Sequence, residues 1–169
     1  IKLKNNFNNL KCFNFGLSNK AKEHVVFIPY FRFLGSIYYM ITYTFYDLIE
    51  LRENLKINFI FKKNIKIKKL KIKLNKFNTF KNRIDLVKLD VNGHEFNILK
   101  GLKKLILRDK PAFILEELEN IRKIQIFMNR YHYKCYYYDV NVKKLIQIKA
   151  KNNKNLNFYF LQKKHLKLI

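Results

Sequence analysis

The chain has 169 residues, with 36 Lys and Arg against 12 Asp and Glu, a formal net charge of +24 and 16% aromatic residues. That length suffices for one domain with its own core, and four glycines and two prolines leave no room for a flexible linker between two. The richest apolar stretch, Leu34 to Leu48, falls short of the roughly 20 residues of a membrane helix, and Cys12 and Cys135 show no metal-ligand spacing, which argues against a transmembrane protein, a zinc domain or a disulfide framework and makes a reducing, cytoplasmic setting the default.

The chain opens on Ile1 and an Asn-rich run, a beginning expected of a fragment. Lys11 to Phe15 reads as a strand that ends at Gly16 and breaks into the turn Ser18-Asn19-Lys20. Glu23 to Ile28 (EHVVFI) is a second strand, closed by Pro29, and Cys12 and Cys135 are taken as buried free thiols in strands. Tyr30 to Tyr43 is aromatic without a clean period and reads as loop. Thr44 to Leu55 places Phe45, Leu48, Ile49 and Leu51 near helical spacing, with Asp47 and Glu50 early in the run, as a helix does.

From Ile57 to Leu74 apolar and basic residues alternate. Ile65 and Ile67, then Leu70, Ile72 and Leu74, share one face if a β-bulge absorbs the slip at Lys68-Lys69, and Lys66, Lys71 and Lys73 then point to solvent. A basic strand of this kind could contact nucleic acid. A half-buried strand whose lysines discourage edge pairing explains it more simply. The Lys excess also travels with Asn, Ile, Phe and Tyr, all read from A/T-rich codons, so base composition is the favoured source of the charge. Lys is spread over every element instead of forming a stripe with stacking aromatics, which speaks against a nucleic-acid interface.

The second half is more regular. Ile84 to Leu89 (IDLVKL) is a nearly continuous apolar strand, of the sort buried on both faces of a parallel sheet. A helix follows from about His94 to Leu107, with Phe96, Leu99, Leu102 and Ile106 on one face. Pro111 introduces a strand from Ala112 to Leu115 that stops at Glu116-Glu117. The second amphipathic helix, about Asn120 to Tyr131, turns Ile121, Ile124, Phe127 and Met128 inward. Tyr133 to Tyr138 and Leu156 to Leu161 are strands, with a short one near Val142 to Ile148. The fold class is α/β: a parallel sheet built from strand–helix–strand units, with an antiparallel strand pair at one edge.

Ligands of open α/β sheets bind beyond the carboxyl ends of the parallel strands. That rule selects the turns after Phe15, Leu89 and Leu115. The middle one holds Asp90, Asn92, Gly93, His94 and Glu95 at the start of a helix, where free backbone N–H groups favour acceptors. Asp90 stands where a parallel strand opens onto the crevice, and His94 is a candidate base. Each also has a plainer role: Asp90 or Asn92 as helix cap, Glu95 as complement to the helix dipole, His94 as a satisfied histidine. No metal-ligand cluster is read from the sequence.

The run Ile84-Asp85-Leu86-Val87-Lys88-Leu89-Asp90-Val91-Asn92-Gly93-His94-Glu95-Phe96-Asn97-Ile98-Leu99-Lys100-Gly101 resembles the signature of the FkbM methyltransferase family, roughly (I/V)D-x-(I/V)-K-(I/L)-D-V-E-G-x-E-x-x-(V/I)-L-x-G. Lys110 to Glu116, Phe15 to Asn19 and Asn157 to Leu161 are similar to three further family segments. The resemblance implies a class I methyltransferase (Rossmann-like) sandwich, here incomplete and lacking its first strands, with residues 1–169 forming one partial domain. It implies S-adenosylmethionine as methyl donor and O-methylation of a hydroxyl on a sugar or secondary metabolite, so that the partner is a small-molecule or glycan acceptor. On that alignment Ser18 lies on the adenine side, Asp90 faces donor and acceptor, and Glu95 stands behind it.

Two departures accompany the likeness. Asn92 occupies the place of the family's Glu. Gly16, Gly35, Gly93 and Gly101 are the only glycines, and none makes a GxGxxG-like loop for the cofactor. The polypeptide alone is therefore expected to bind S-adenosylmethionine poorly and to be inactive as it stands. The alternative reading is a non-catalytic basic module that binds nucleic acid or anionic surfaces, recognisable by steep salt dependence.

Overall fold

The computed structural model describes residues 11–41, 44–58, 64–77, 81–91, 93–116, 121–148 and 157–168. Asn92, Glu117, Asn120 and Leu156, on which parts of the sequence reading fall, lie outside the described residues, as do residues 42–43 and 59–63 of the expected loop and alternating run. The fold is mixed α/β with two mixed sheets.

The first sheet contains β1 (Gly16–Ser18), β2 (Lys22–Phe33), β3 (Ser36–Tyr39) and β4 (Lys66–Lys76), in the order β1-β4-β2-β3. Several expectations change here. Residues 11–15 are exposed and not in a strand, so burial does nothing to reward pairing, and Cys12 is exposed ahead of β1. Strand β2 runs through Pro29. The proline carbonyl accepts the Met40 N–H at 2.9 Å, and because N and O of one residue face the same neighbour in an antiparallel pair, the missing donor falls just past the end of β3 and costs no ladder bond.

The expected loop after Pro29 is a hairpin. Phe33 pairs with Ser36 across Leu34 and Gly35, whose φ values of 46° and 78° are both positive. Positive φ at both central residues is the signature of the type I′ turn, whose twist matches the flanking strands.

No bulge interrupts β4. Its partners on β2 step evenly through Val26↔Leu70, Phe27↔Lys69 and Ile28↔Lys68. A long, unbroken partner keeps strict alternation, so Ile67 shares a face with Lys69 and Lys71, opposite Leu70, Ile72 and Leu74. Burial along that second face rises from Leu70, 43% exposed, to Leu74 at 1%. Lys66, Lys71 and Lys73 are exposed, as anticipated.

Helix α1 (Leu48–Asn58) starts later than expected and takes in Ile57. Asp47 caps it, its carboxylate accepting the N–H groups of Ile49 at 2.7 Å and Glu50 at 3.1 Å. Leu51 is fully buried whereas Ile49 faces solvent. Phe45 precedes the helix and bridges to Phe27 through backbone bonds of 2.9 and 3.1 Å.

The second sheet contains β5 (Leu86–Leu89), β6 (Ala112–Glu116), β7 (Lys134–Asp139), β8 (Lys144–Gln147) and β9 (Asn157–Leu161), in the order β5-β6-β9-β7-β8. Strands β5 and β6 are parallel, and β9 runs against both its neighbours. The edge pair is β7–β8, and β9 is interior, not at the edge where the two late strands had been expected to meet. Nor is β5 buried on both faces: Leu86 is 56% exposed, because among the described residues β5 pairs with β6 alone.

Helix α2 (Glu95–Gly101) follows β5 and is separated from α3 (Lys103–Arg108) by a turn at Leu102, whose N–H is shared between the carbonyls of Ile98 and Leu99. Helix α4 (Ile121–Asn129) joins β6 to β7 and a short α5 (Lys163–Leu166) follows β9. The helical faces read from the sequence hold in the main: Leu99, Leu102 and Ile106, then Ile121, Ile124, Phe127 and Met128, bury into one core with Phe113, Leu115 and Phe160, while Phe96 is only half-buried against it. Tyr133 packs edge-on to Phe113 and donates its hydroxyl to the Pro111 carbonyl at 2.7 Å. Cys135 sits buried in β7, its thiol pushed up to about 12 by burial, with a hydrogen bond to Gln125 partly opposing the shift.

The two sheets are tied through α2, which packs on β1. A Cβ on Gly101 would lie 2.5 Å from the Ser18 carbonyl oxygen and 3.1 Å from Asn19 Cα. Backbone on both sides leaves nothing flexible to give way, so Gly101→Ala should destabilise by about 2 kcal/mol or more. Gly35→Ala meets open space and should cost only about 1 kcal/mol, for its positive φ. Urea denaturation of the two variants checks the order.

Candidate functional site

The carboxyl ends of β5 and β6 carry Asp90 and Glu116. Lys88 lies between them, 3.5 Å from Asp90 and 3.3 Å from Glu116. Alternation in β5 puts Lys88 on the face opposite buried Leu89, and its ammonium pKa is raised, first by the hydrogen bond to Glu116 and then by both carboxylates. Asp90 is more than half exposed and so open to a ligand. It does not cap α2: the N-cap is His94, without a side-chain capping bond.

Behind Asp90 the site turns inward. Gly93, at φ +87°, makes the sharp turn that places His94 and Glu95 under the helix start. Glu95, 3% exposed, folds its carboxylate back to accept the Val91 N–H at 3.3 Å. Burial raises its pKa, while the backbone amides of Glu95, Val91 and Gly93 pull the other way. A buried carboxylate is thus held by the free N–H groups at the positive end of a helix.

His94 is 7% exposed and Ser18 2%, and the two meet at 3.4 Å between Nε2 and Oγ. On its other side His94 Nδ1 lies 3.4 Å from the Asn97 side-chain nitrogen. Since that amide can only donate, the consistent arrangement has Nε2–H donating to Ser18 and the Ser18 hydroxyl donating to Asn19 Oδ1 at 3.3 Å. The ring is stacked on Tyr46 at 4.3 Å, with His24 beyond at 5.5 Å from Tyr46. Burial, then the charges of Lys22, His24 and Lys100, push its pKa down to about 4, so it is neutral at pH 7 with both ring nitrogens engaged. The Tyr46 hydroxyl is raised, first by burial and then by Glu95.

Of the sequence-derived candidates, Ser18, His94 and Glu95 come together in the interior, and Asp90 stands apart on the surface with Lys88 and Glu116. Sequence reasoning passed over Tyr46, His24 and Lys88. His24 alternates in phase with buried Val26, and Lys88 is the lone charge between Val87 and Leu89, signals that strand periodicity carries. Tyr46 precedes the cap of α1 and nothing in its neighbourhood announces the stack. Among the described residues no group of three His, Cys, Asp or Glu could hold a metal ion, and no helix is long and apolar enough to cross a membrane.

The family profile described as the methyltransferase FkbM domain matches residues 2–148, which covers both β1 and the whole of the β5–α2 turn. The chain belongs to that family. No curated protein and no solved structure matches it.

A histidine whose pKa falls from 6.5 unfolded to about 4 folded leaves the unfolded state binding more protons between those values, so stability present above about pH 6.5 is lost as pH falls toward 4. Urea stability should drop by roughly 3 kcal/mol over that window. Glu95 shifts in the opposite sense but is common to wild type and His94→Gln, so a flattened dependence in the variant isolates the imidazole. Equal slopes would refute the assignment.

Proposed function

We propose that this member of the FkbM methyltransferase family transfers a methyl group from S-adenosylmethionine to a hydroxyl of a sugar or secondary metabolite at the carboxyl ends of β5 and β6. The strand order β5-β6-β9-β7, with β9 reversed between neighbours that share one direction, supports a class I methyltransferase sandwich. In such sheets the ligand crevice lies beyond the carboxyl ends of the parallel strands. The observation that carries the reading is Asp90, the exposed carboxylate at the end of a parallel strand with satisfied residues packed behind it.

S-adenosylmethionine supplies an electrophilic methyl group. The residues present fit one side of it: the carboxylates of Asp90 and Glu116 can accept hydrogen bonds from hydroxyl or amine groups. No glycine-rich loop in the sequence offers backbone N–H groups to a ligand carboxylate, so these 169 residues are expected to bind the cofactor weakly and not to turn over alone.

Within this reading Asp90 orients the acceptor hydroxyl and takes its proton. Lys88 holds Asp90 and Glu116 at a fixed separation. His94, with both ring nitrogens occupied, serves as a positioning group. Its bond to Ser18 holds the first turn of α2 against β1, and Ser18, on the adenine side by resemblance, contributes through that bond. Glu95 secures the β5–α2 turn from which Asp90 projects. Residues 1–169 then form part of one methyltransferase domain in a reducing, cytoplasmic setting.

The test is methyl transfer from labelled S-adenosylmethionine to a panel of hydroxyl- and amine-bearing acceptors by the full-length protein. Asp90→Asn should lower kcat at least about tenfold. Unchanged turnover removes Asp90 from the reaction, and transfer to amines alone overturns O-methylation. Titration of the 169-residue chain with S-adenosylmethionine should show a Kd weaker than about 1 mM.

A further inference from the structure

Strands β5, β6 and β7 share one direction, so the segments that enter β6 and β7 and leave the reversed β9 all lie at the pole opposite Asp90. A groove of about 760 Å3 opens there, within the range of small-molecule sites. Its rim carries Lys110, Arg130, His132, Lys134, Lys163 and Lys164, and no Asp or Glu lines it. Among the described residues the ion pairs engage Arg83, Lys88 and Arg108, so none of these rim side chains is ion-paired to a carboxylate.

The rim is built, not merely decorated. Gln162 donates to the Tyr131 carbonyl at 2.7 Å, Lys164 to the Asp109 carbonyl at 3.1 Å, and the His165 ring meets the Lys110 carbonyl at 3.0 Å. These bonds fasten α5 across the turns that follow α3 and α4. Lys110 and His132 occupy left-handed backbone positions just past those helices, at φ 51° and 63°, where glycine is the usual occupant. Beneath the cations the walls are apolar, from Ile106, Leu107, Tyr136 and Leu161.

We infer that this groove is a second ligand site, for a phosphoryl group carried on an apolar body. Lysine and arginine supply the charge-assisted donors a phosphoryl dianion needs, and the apolar walls take the body behind it. The groove is too large and too apolar for phosphate alone.

Calorimetric titration tests the site independently of methyl transfer, with inorganic phosphate, a dihexanoyl phosphatidic acid below its micellar concentration, and an oligothymidylate as probes. The phosphatidate should bind at least about tenfold tighter than phosphate. The double variant Arg130→Gln, Lys163→Gln should lose at least about tenfold in affinity for the phosphatidate, while Lys71→Gln, Lys73→Gln on β4, with the same change in charge, stays within about twofold. All four positions are exposed, and the exchange Arg130→Lys, Lys163→Arg should restore binding, which separates charge loss from misfolding. Equal affinity for phosphate and phosphatidate overturns the site, as does equal loss in the two neutralised variants or tighter binding of the oligonucleotide. Co-sedimentation with phosphatidate-containing vesicles identifies a membrane-borne source, and binding of the short-chain form alone a soluble one.

Discussion

Helix α2 lies on β1 with backbone against backbone: Gly101 leaves no room for even a methyl group over the Ser18 carbonyl. That contact sets the distance between the two sheets. It also sets the site, because the same helix begins with His94 and Glu95 and the same strand ends in Ser18. The hydrogen bond between Ser18 and His94 closes the small ring of structure that runs from β1 through α2 and back. Burial of that ring drives the imidazole neutral and raises the Glu95 carboxyl, so the electrostatics follow from a steric fact. Asp90 projects from the outer margin of this fixed assembly.

Charge is unevenly matched across the molecule. At the Asp90 pole a single lysine serves two carboxylates, whereas at the far pole six basic side chains ring an apolar groove without one carboxylate among its lining residues. A base-composition bias that enriches lysine everywhere has no preference for one end of a sheet. It accounts for the scattered lysines of β4, which face solvent along a strand with a soluble outer face.

Much of the second half was legible because periodicity there is strong. Ile121, Ile124, Phe127 and Met128 sit at spacings that only a helix can align, and each is buried. The β5–α2 turn was legible from the density of polar residues at the end of an apolar strand. The first half misled where local pattern and pairing disagree. Alternation in β4 looked broken at Lys68-Lys69, yet the pairing with β2 is continuous, so the register imposed by a partner outweighs the hydrophobic phase of one strand. Pro29 looked like a terminator because its missing donor matters only when a neighbour is there to receive it. The hairpin tip escaped notice because leucine, not asparagine or aspartate, precedes its glycine. The place of Asp90 at the end of β5 was legible from position, while the stack of Tyr46 and His24 on His94 arises from segments far apart in sequence and leaves no local trace.

Strand β9 lies between β6 and β7, which do not pair with each other. A chain emerging vectorially from the ribosome makes β6, then β7 and β8, before residue 157 exists to join them. Until then the sheet is two separate ribbons, one presenting the open edge of β6 with Phe113, Ile114 and Leu115 and the other that of β7 with Tyr136, Tyr137 and Tyr138, to whatever strand arrives first. The final insertion satisfies both edges in one step, so the half of the molecule that carries Asp90 is committed late. Its assembly hangs on a closing strand that any premature stop before residue 157 would remove.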